Sequence, residues 1–138
     1  MAFVDLITPA QNAVFRALAP LAGRDDLPVG LKVFQHVPQD TPPPYLMVGR
    51  LACDNAEEHG EQAEMITAEV IGVYRGNQRA ELLAVMAAAR AALDRQPIED
   101  AGATLEPPRF QKLDAGEAIA DGQTYVAMAT FEFLATPA

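Results

Sequence analysis

Met65-Ile66-Thr67-Ala68-Glu69-Val70-Ile71-Gly72-Val73-Tyr74, then Arg75-Gly76-Asn77, then Gln78 to Asp94, is the stretch on which the fold turns. Its first ten residues are apolar or β-branched at both phases of a period-2 pattern. Ile66, Ala68, Val70 and Tyr74 fall on one face, and Met65, Ile71 and Val73 share the other with Thr67 and Glu69. Such a strand is central in its sheet or covered on its second face, for instance by another subunit. Asn77 is placed to cap a helix, because its side-chain oxygen can accept an unpaired N–H of the first turn. Leu82, Val85, Met86, Ala89 and Leu93 then recur at helical spacing, with Arg79, Glu81, Arg90 and Asp94 around them. Glu81 near the start, and Arg90 and Arg95 near the end, suit the helix dipole. The pattern is a long strand turned by three residues into an amphipathic helix that packs back on the sheet, with no catalytic signature.

Upstream, Thr8-Pro9-Ala10-Gln11 reads as a helix start with Thr8 as cap, and Ala10, Val14, Leu18 and Leu21 form an apolar stripe that Pro20 and Gly23 end. Leu31 to Val37 alternates like a half-buried strand. Pro38 to Pro44, with four prolines, is an extended connection into a further strand from Tyr45 to Leu51. Asp54, Glu57, Glu58, Glu61 and Glu64 follow in a run without a basic residue, which reads as a solvated, projecting loop. Downstream of the helix, Ala103 to Glu106 is a weak strand that Pro107-Pro108 interrupt and Arg109 to Asp114 can resume. After the Asp121-Gly122 turn signal, Gln123 to Leu134 is a strand with Tyr125, Ala127, Ala129, Phe131 and Phe133 on one face and Val126, Met128 and Leu134 on the other. The expectation is one α+β domain over 1–138, in the order α-β-β-β-α-β-β. Its mostly antiparallel sheet has about four to five strands, with two main helices packed on it.

Half of the 138 residues are hydrophobic, enough for a real core. A net charge of −9 argues against nonspecific nucleic-acid binding and against an anionic membrane surface. The single cysteine, Cys53, excludes an intramolecular disulfide. Asp5 breaks the short N-terminal apolar run, so no signal peptide is read, and no uncharged run is long enough to span a bilayer.

Chemistry-bearing constellations are sparse. Cys53, Asp54, Glu57, Glu58, His59 and Glu61 fit neither zinc nor calcium spacing, so no metal or cofactor is expected. Cys53 and His59 lack a third orienting group for nucleophilic catalysis, and no catalytic residue is assigned. His36 reads as a surface or interface residue. Arg75-Gly76-Asn77-Gln78-Arg79 opens a helix after a strand but lacks a phosphate-loop pattern. Its arginines, Arg75 and Arg79, either meet an anionic partner, or solvate the sheet rim or pair with the acidic loop.

The order of segments carries more information than any motif. An N-terminal helix precedes Val33-Phe34-Gln35-His36-Val37-Pro38, and Pro43-Pro44-Tyr45-Leu46-Met47-Val48-Gly49 enters the next strand. The acidic loop follows, then a strand ending Val73-Tyr74-Arg75-Gly76, a helix ending Ala91-Ala92-Leu93-Asp94, and a closing hairpin. From about Gln11 to Leu134 this resembles the small tail-completion, or tail-terminator, proteins of long-tailed phages and gene transfer agents. The resemblance implies a virion structural protein, made in the host cytoplasm and located at the head–tail junction. Its partners would be further copies of itself in a ring, commonly of six, the tail tube protein and a head–tail connector protein. Such a ring stops tube polymerisation and offers the head a joining surface, with DNA passing through unbound; no enzyme activity and no membrane are implied. On this reading Ile71, Val73, Tyr125, Phe131 and Phe133 are expected at subunit interfaces, and Glu57, Glu58, Glu61 and Glu64 face the lumen or a neighbouring ring. The alternatives are another connector or tube component, or a small ligand-binding protein or enzyme using the Cys53–His59 loop.

Overall fold

The computed structural model describes residues 2–57 and 59–138. Helix α1 (Ile7–Leu18) runs into a 3-10 turn (Ala19–Gly23), then come strands β1 (Lys32–Phe34), β2 (Tyr45–Asn55) and β3 (Glu64–Arg75). Helix α2 (Arg79–Leu93) is followed by β4 (Ala103–Leu105), β5 (Arg109–Ala115) and β6 (Thr124–Pro137). The six strands form one sheet in the order β1-β2-β3-β6-β4, with β5 beside β4 on the same side of β6. Every pairing is antiparallel except the short β1–β2 pair. The α+β architecture expected from the sequence is therefore present, with six strands rather than four or five. Pro107-Pro108 divides β4 from β5 without ending the pairing with β6, because β6 is long enough to serve both.

β3 and β6 pair along twelve residues from Glu64↔Ala135 to Arg75↔Thr124, and both helices lie on one side of this spine. On that side Ile66, Ala68 and Val70 of β3 and Ala127, Ala129, Phe131 and Phe133 of β6 are buried. Leu82, Val85, Met86, Ala89 and Leu93 of α2 close over them, as their helical spacing requires. Gly72 lets α2 pack tightly on β3, since a Cβ there would meet Met86 Sδ at 2.6 Å. Ala10, Val14 and Leu18 of α1, with Leu21 of the 3-10 turn, complete the core.

Three local expectations change. Thr8 does not cap α1; Asp5 does, its Oδ1 accepting from the Ile7 and Thr8 N–H groups at 2.8 and 3.1 Å, while Thr8 donates its own hydroxyl to Asp5. Asn77 does not cap α2. The Gly76 N–H still reaches the Gln123 carbonyl at 2.9 Å, so strand-like pairing carries one step past β3 and the helix starts later, flanked by an extended Gln78. The Leu31–Val37 strand shrinks to Lys32–Phe34, because the next residue turns inward and Gln35 Nε2 donates to Asn12 Oδ1 on α1. No described helix is long and apolar enough to cross a membrane.

Candidate functional site

With both helices on one side, the second face of the sheet is left without cover by any described element. Register places Met65, Thr67, Glu69, Ile71 and Val73 of β3 there, against Leu134, Glu132, Thr130, Met128 and Val126 of β6. Tyr45 and Met47 of β2 stand opposite Val73 and Ile71. The face is not uniform. Toward the Tyr45–Val73–Val126 end it is apolar through Tyr45, Met47, Ile71, Val73, Val126 and Met128, and Val126 is 39% exposed. Its middle is polar, with Thr67, Glu69, Thr130 and Glu132. An aliphatic patch of this kind in half-contact with water is typical of a surface that another protein covers.

The two phases of β6 therefore have separate roles. Ile71 and Val73 lie on the free face. Phe131 and Phe133 are 1% and 2% exposed inside the subunit's own core, and Tyr125 packs against that core, so none of the three is presented to a neighbour on the free face. On β6 the free face carries Val126, Met128 and Leu134. Periodicity alone could not separate the phases, since both are apolar. The polar residues Thr67 and Glu69, which share the phase of Ile71 on β3, were the available signal.

The opposite end of the sheet is acidic. Asp54 and Asn55 belong to β2 and Glu64 opens β3, so the projecting loop is shorter than the acidic run and occupies 56–63; Glu58 lies outside the described residues. Glu57 and Glu61 are exposed and Glu64 is half-buried. Among the described residues, none of Asp54, Glu57, Glu61 and Glu64 is in an ion pair. One loop residue turns inward, which the sequence did not announce. Gln62 is buried, its Oε1 accepting from the Val4 N–H at 3.1 Å and its Nε2 donating to the Val4 carbonyl at 2.9 Å, which fastens the N-terminal arm to the loop.

Cys53 and His59 are not brought into a catalytic arrangement. His59 lines a shallow hollow with Gln62, Leu134 and Thr136, and Cys53 is not part of that lining. Burial and the nearby Glu64 carboxylate push the Cys53 thiol up, the reverse of what activates a nucleophile. No group of three or more potential metal ligands converges among the described residues. Arg75 and Arg79 are engaged away from the acidic loop. Arg75 Nη2 pairs with Asp121 at 3.1 Å and Arg79 Nη1 donates to the Gly116 carbonyl at 3.2 Å, bracing the β5–β6 hairpin. His36 is exposed beyond β1.

No curated protein matches the sequence. The fold is similar to that of a chain from the virion of a native gene transfer agent particle, with a TM-score of 0.74 over 96% of this chain and 99% of that one, at 17% identity. The family model of tail completion protein gp17 matches residues 12–136, almost the whole sequence. The chain belongs to the tail completion protein gp17 family and is a structural protein of the virion tail.

Proposed function

We propose that this protein is a tail terminator, a ring that caps the finished tail tube, stops its growth and offers the head a joining surface. The observation that carries this reading is the chemical polarity of the subunit along its strands. One end of the free sheet face is apolar, around Ile71 and Val73, and the other end carries Asp54, Glu57, Glu61 and Glu64, none with a cationic partner among the described residues. A tube subunit must match itself above and below so that stacking propagates, whereas a terminator must offer two different surfaces. The apolar end suits burial against protein, and we assign it to the tube and the adjoining subunits. The acidic end suits the mouth of a channel through which DNA slides, because like charge keeps phosphates from sticking. A ring of six copies, meeting the tube protein on one side and a head–tail connector on the other, fits this arrangement.

Electron microscopy of particles from a producing strain that lacks this gene tests the reading. Overlong tails, or tails without heads, are the expected result. Particles of normal length with heads joined would overturn it. Purified protein that stacks by itself into open-ended tubes would instead identify a tube component.

A further inference from the structure

The sheet has two open edges, one on each side of the subunit. β1 covers only the first three residues of β2, at Tyr45, Leu46 and Met47. From Arg50 to Asn55 the outer side of β2 has no strand beside it among the described residues. No backbone-to-backbone hydrogen bond reaches it there among the described residues. On the far side, β5 pairs with β6 alone. Its outer edge is closed at Phe110, whose N–H donates to Asp94 Oδ1 at 3.0 Å, and is open from Lys112 to Ala115.

The directions of these edges are complementary. β2 is antiparallel to β3, β3 to β6 and β6 to β5, so β2 and β5 run in opposite senses within one subunit. Two copies set side by side the same way up therefore bring β5 of one against β2 of the next as an antiparallel pair. Such a contact is heterologous, so repeating it can close a ring. The charges select a register. Asp54 on β2 and Lys112 and Asp114 on β5 all point to the helix-free face, as shown by their partners Met65, Thr130 and Met128. Lys112 lies 3.4 Å from Asp114 of its own strand, and placing Asp54 opposite Lys112 adds a second unlike charge to it; a two-residue shift one way would set Asp54 against Asp114, and the other way would leave Lys112 against Ala52. In the favoured register Cys53 stands directly opposite Leu113, both on the helix-covered face. Asp54 lies in the row of Met65 and Lys112 in the row of Glu69, so each copy is staggered along the strands relative to the last, as closure of a sheet requires. Charges on an edge often serve to prevent pairing. These two edges differ from that pattern in carrying charges that match one another.

We propose that neighbouring copies join by β-strand addition, the Lys112–Ala115 edge of β5 pairing with the Arg50–Asn55 edge of β2 in the next copy, with Lys112 facing Asp54. This deepens the terminator proposal and rests on its ring.

The native Cys53 makes the test direct. Within one subunit β3 and β6 separate it from residue 113 by three strand spacings, about 14 Å, while a disulfide needs Cα atoms within roughly 7 Å. Only copies paired in the proposed register can be cross-linked by Leu113→Cys. Leu113 is 39% exposed and free of the core, so the variant keeps the fold. Particles carrying it are treated with diamide, which takes up the two thiol protons and electrons, and are dissolved without reductant. The expected result is a ladder of covalently joined copies that disappears when Cys53→Ser is added. Asp54→Lys should abolish the ladder, and adding Lys112→Asp should restore it. Counting copies per particle by quantitative mass spectrometry separates the two claims. Several copies with only a monomer band would overturn the strand pairing alone. One copy per particle would overturn the ring itself.

Discussion

Gln62 shows what a single side chain can decide. Its amide offers one acceptor and one donor to the two backbone groups of Val4, as a neighbouring strand would, and it is the one buried polar or charged residue among those described. Gln62→Ala should cost on the order of 1 kcal/mol in urea unfolding, the usual net value of such bonds. It should also accelerate amide exchange at Val4 while leaving β3 protected. Unchanged exchange at Val4 would mean that the arm is held by something else. Inside an acidic, loop-like run a glutamine reads as one more solvated residue, so this role was not legible. Asp5 escaped notice for a related reason. Thr8-Pro9 carries the stronger helix-start signature, but the carboxylate three residues earlier can reach two unpaired N–H groups at once. The free-face position of Ile71 and Val73 could be read from Thr67 and Glu69, which share their phase. Phe131 and Phe133 were misleading because large aromatics suit a core and an interface equally well.

At the scale of elements, the long strands and α2 were readable because each repeats one period over many residues, and the expected apolar positions of α2 are all buried, with Ala88 besides. β1 and β4 were readable as strands, but their bounds were not: each keeps three residues, the stretch that pairs with its neighbour β2 or β6. The β5–β6 hairpin is fixed by a cluster centred on Asp121. The Thr124 hydroxyl and the Gln123 and Thr124 N–H groups, with Arg75 beside them, hold its carboxyl well below the usual carboxylate range. A depressed folded-state pKa favours the fold wherever the unfolded chain would bind the proton more readily. That contribution is complete at neutral pH. It begins to shrink as pH falls toward the unfolded value of about 3.9 and is gone below the folded value. Asp121→Ala should therefore lower Tm at neutral pH, with the gap to the parent protein narrowing steadily below about pH 4. A gap that stays constant down to pH 2 would show that the carboxylate charge plays no part in holding the hairpin.

At the scale of the whole molecule, the apolar end of the free sheet face and the acidic hairpin sit at opposite ends of the same two strands, so a ring built from copies in one orientation has two unlike rims. Composition gave the sign of the charge but not its position. It becomes an asymmetry only because β2 and β3 meet as a hairpin at one end and Tyr45, Val73 and Val126 converge at the other. Two variants examine the rims separately. Ile71→Asp alters a partly buried residue outside the subunit's core, so the purified protein should still fold, with a Tm lowered by a few degrees. A carboxylate in a protein contact is nevertheless costly, and particles carrying it should show overlong or headless tails. The triple reversal Glu57→Lys, Glu61→Lys and Glu64→Lys should leave tail length normal but reduce DNA transfer per particle, because cations at the mouth hold phosphates that must move on. The defect should shrink at higher salt, which weakens such attraction. Normal transfer by the triple variant would remove the acidic end from the DNA path. Overlong tails from the triple variant with normal tails from Ile71→Asp would exchange the rims, seating the acidic end on the tube.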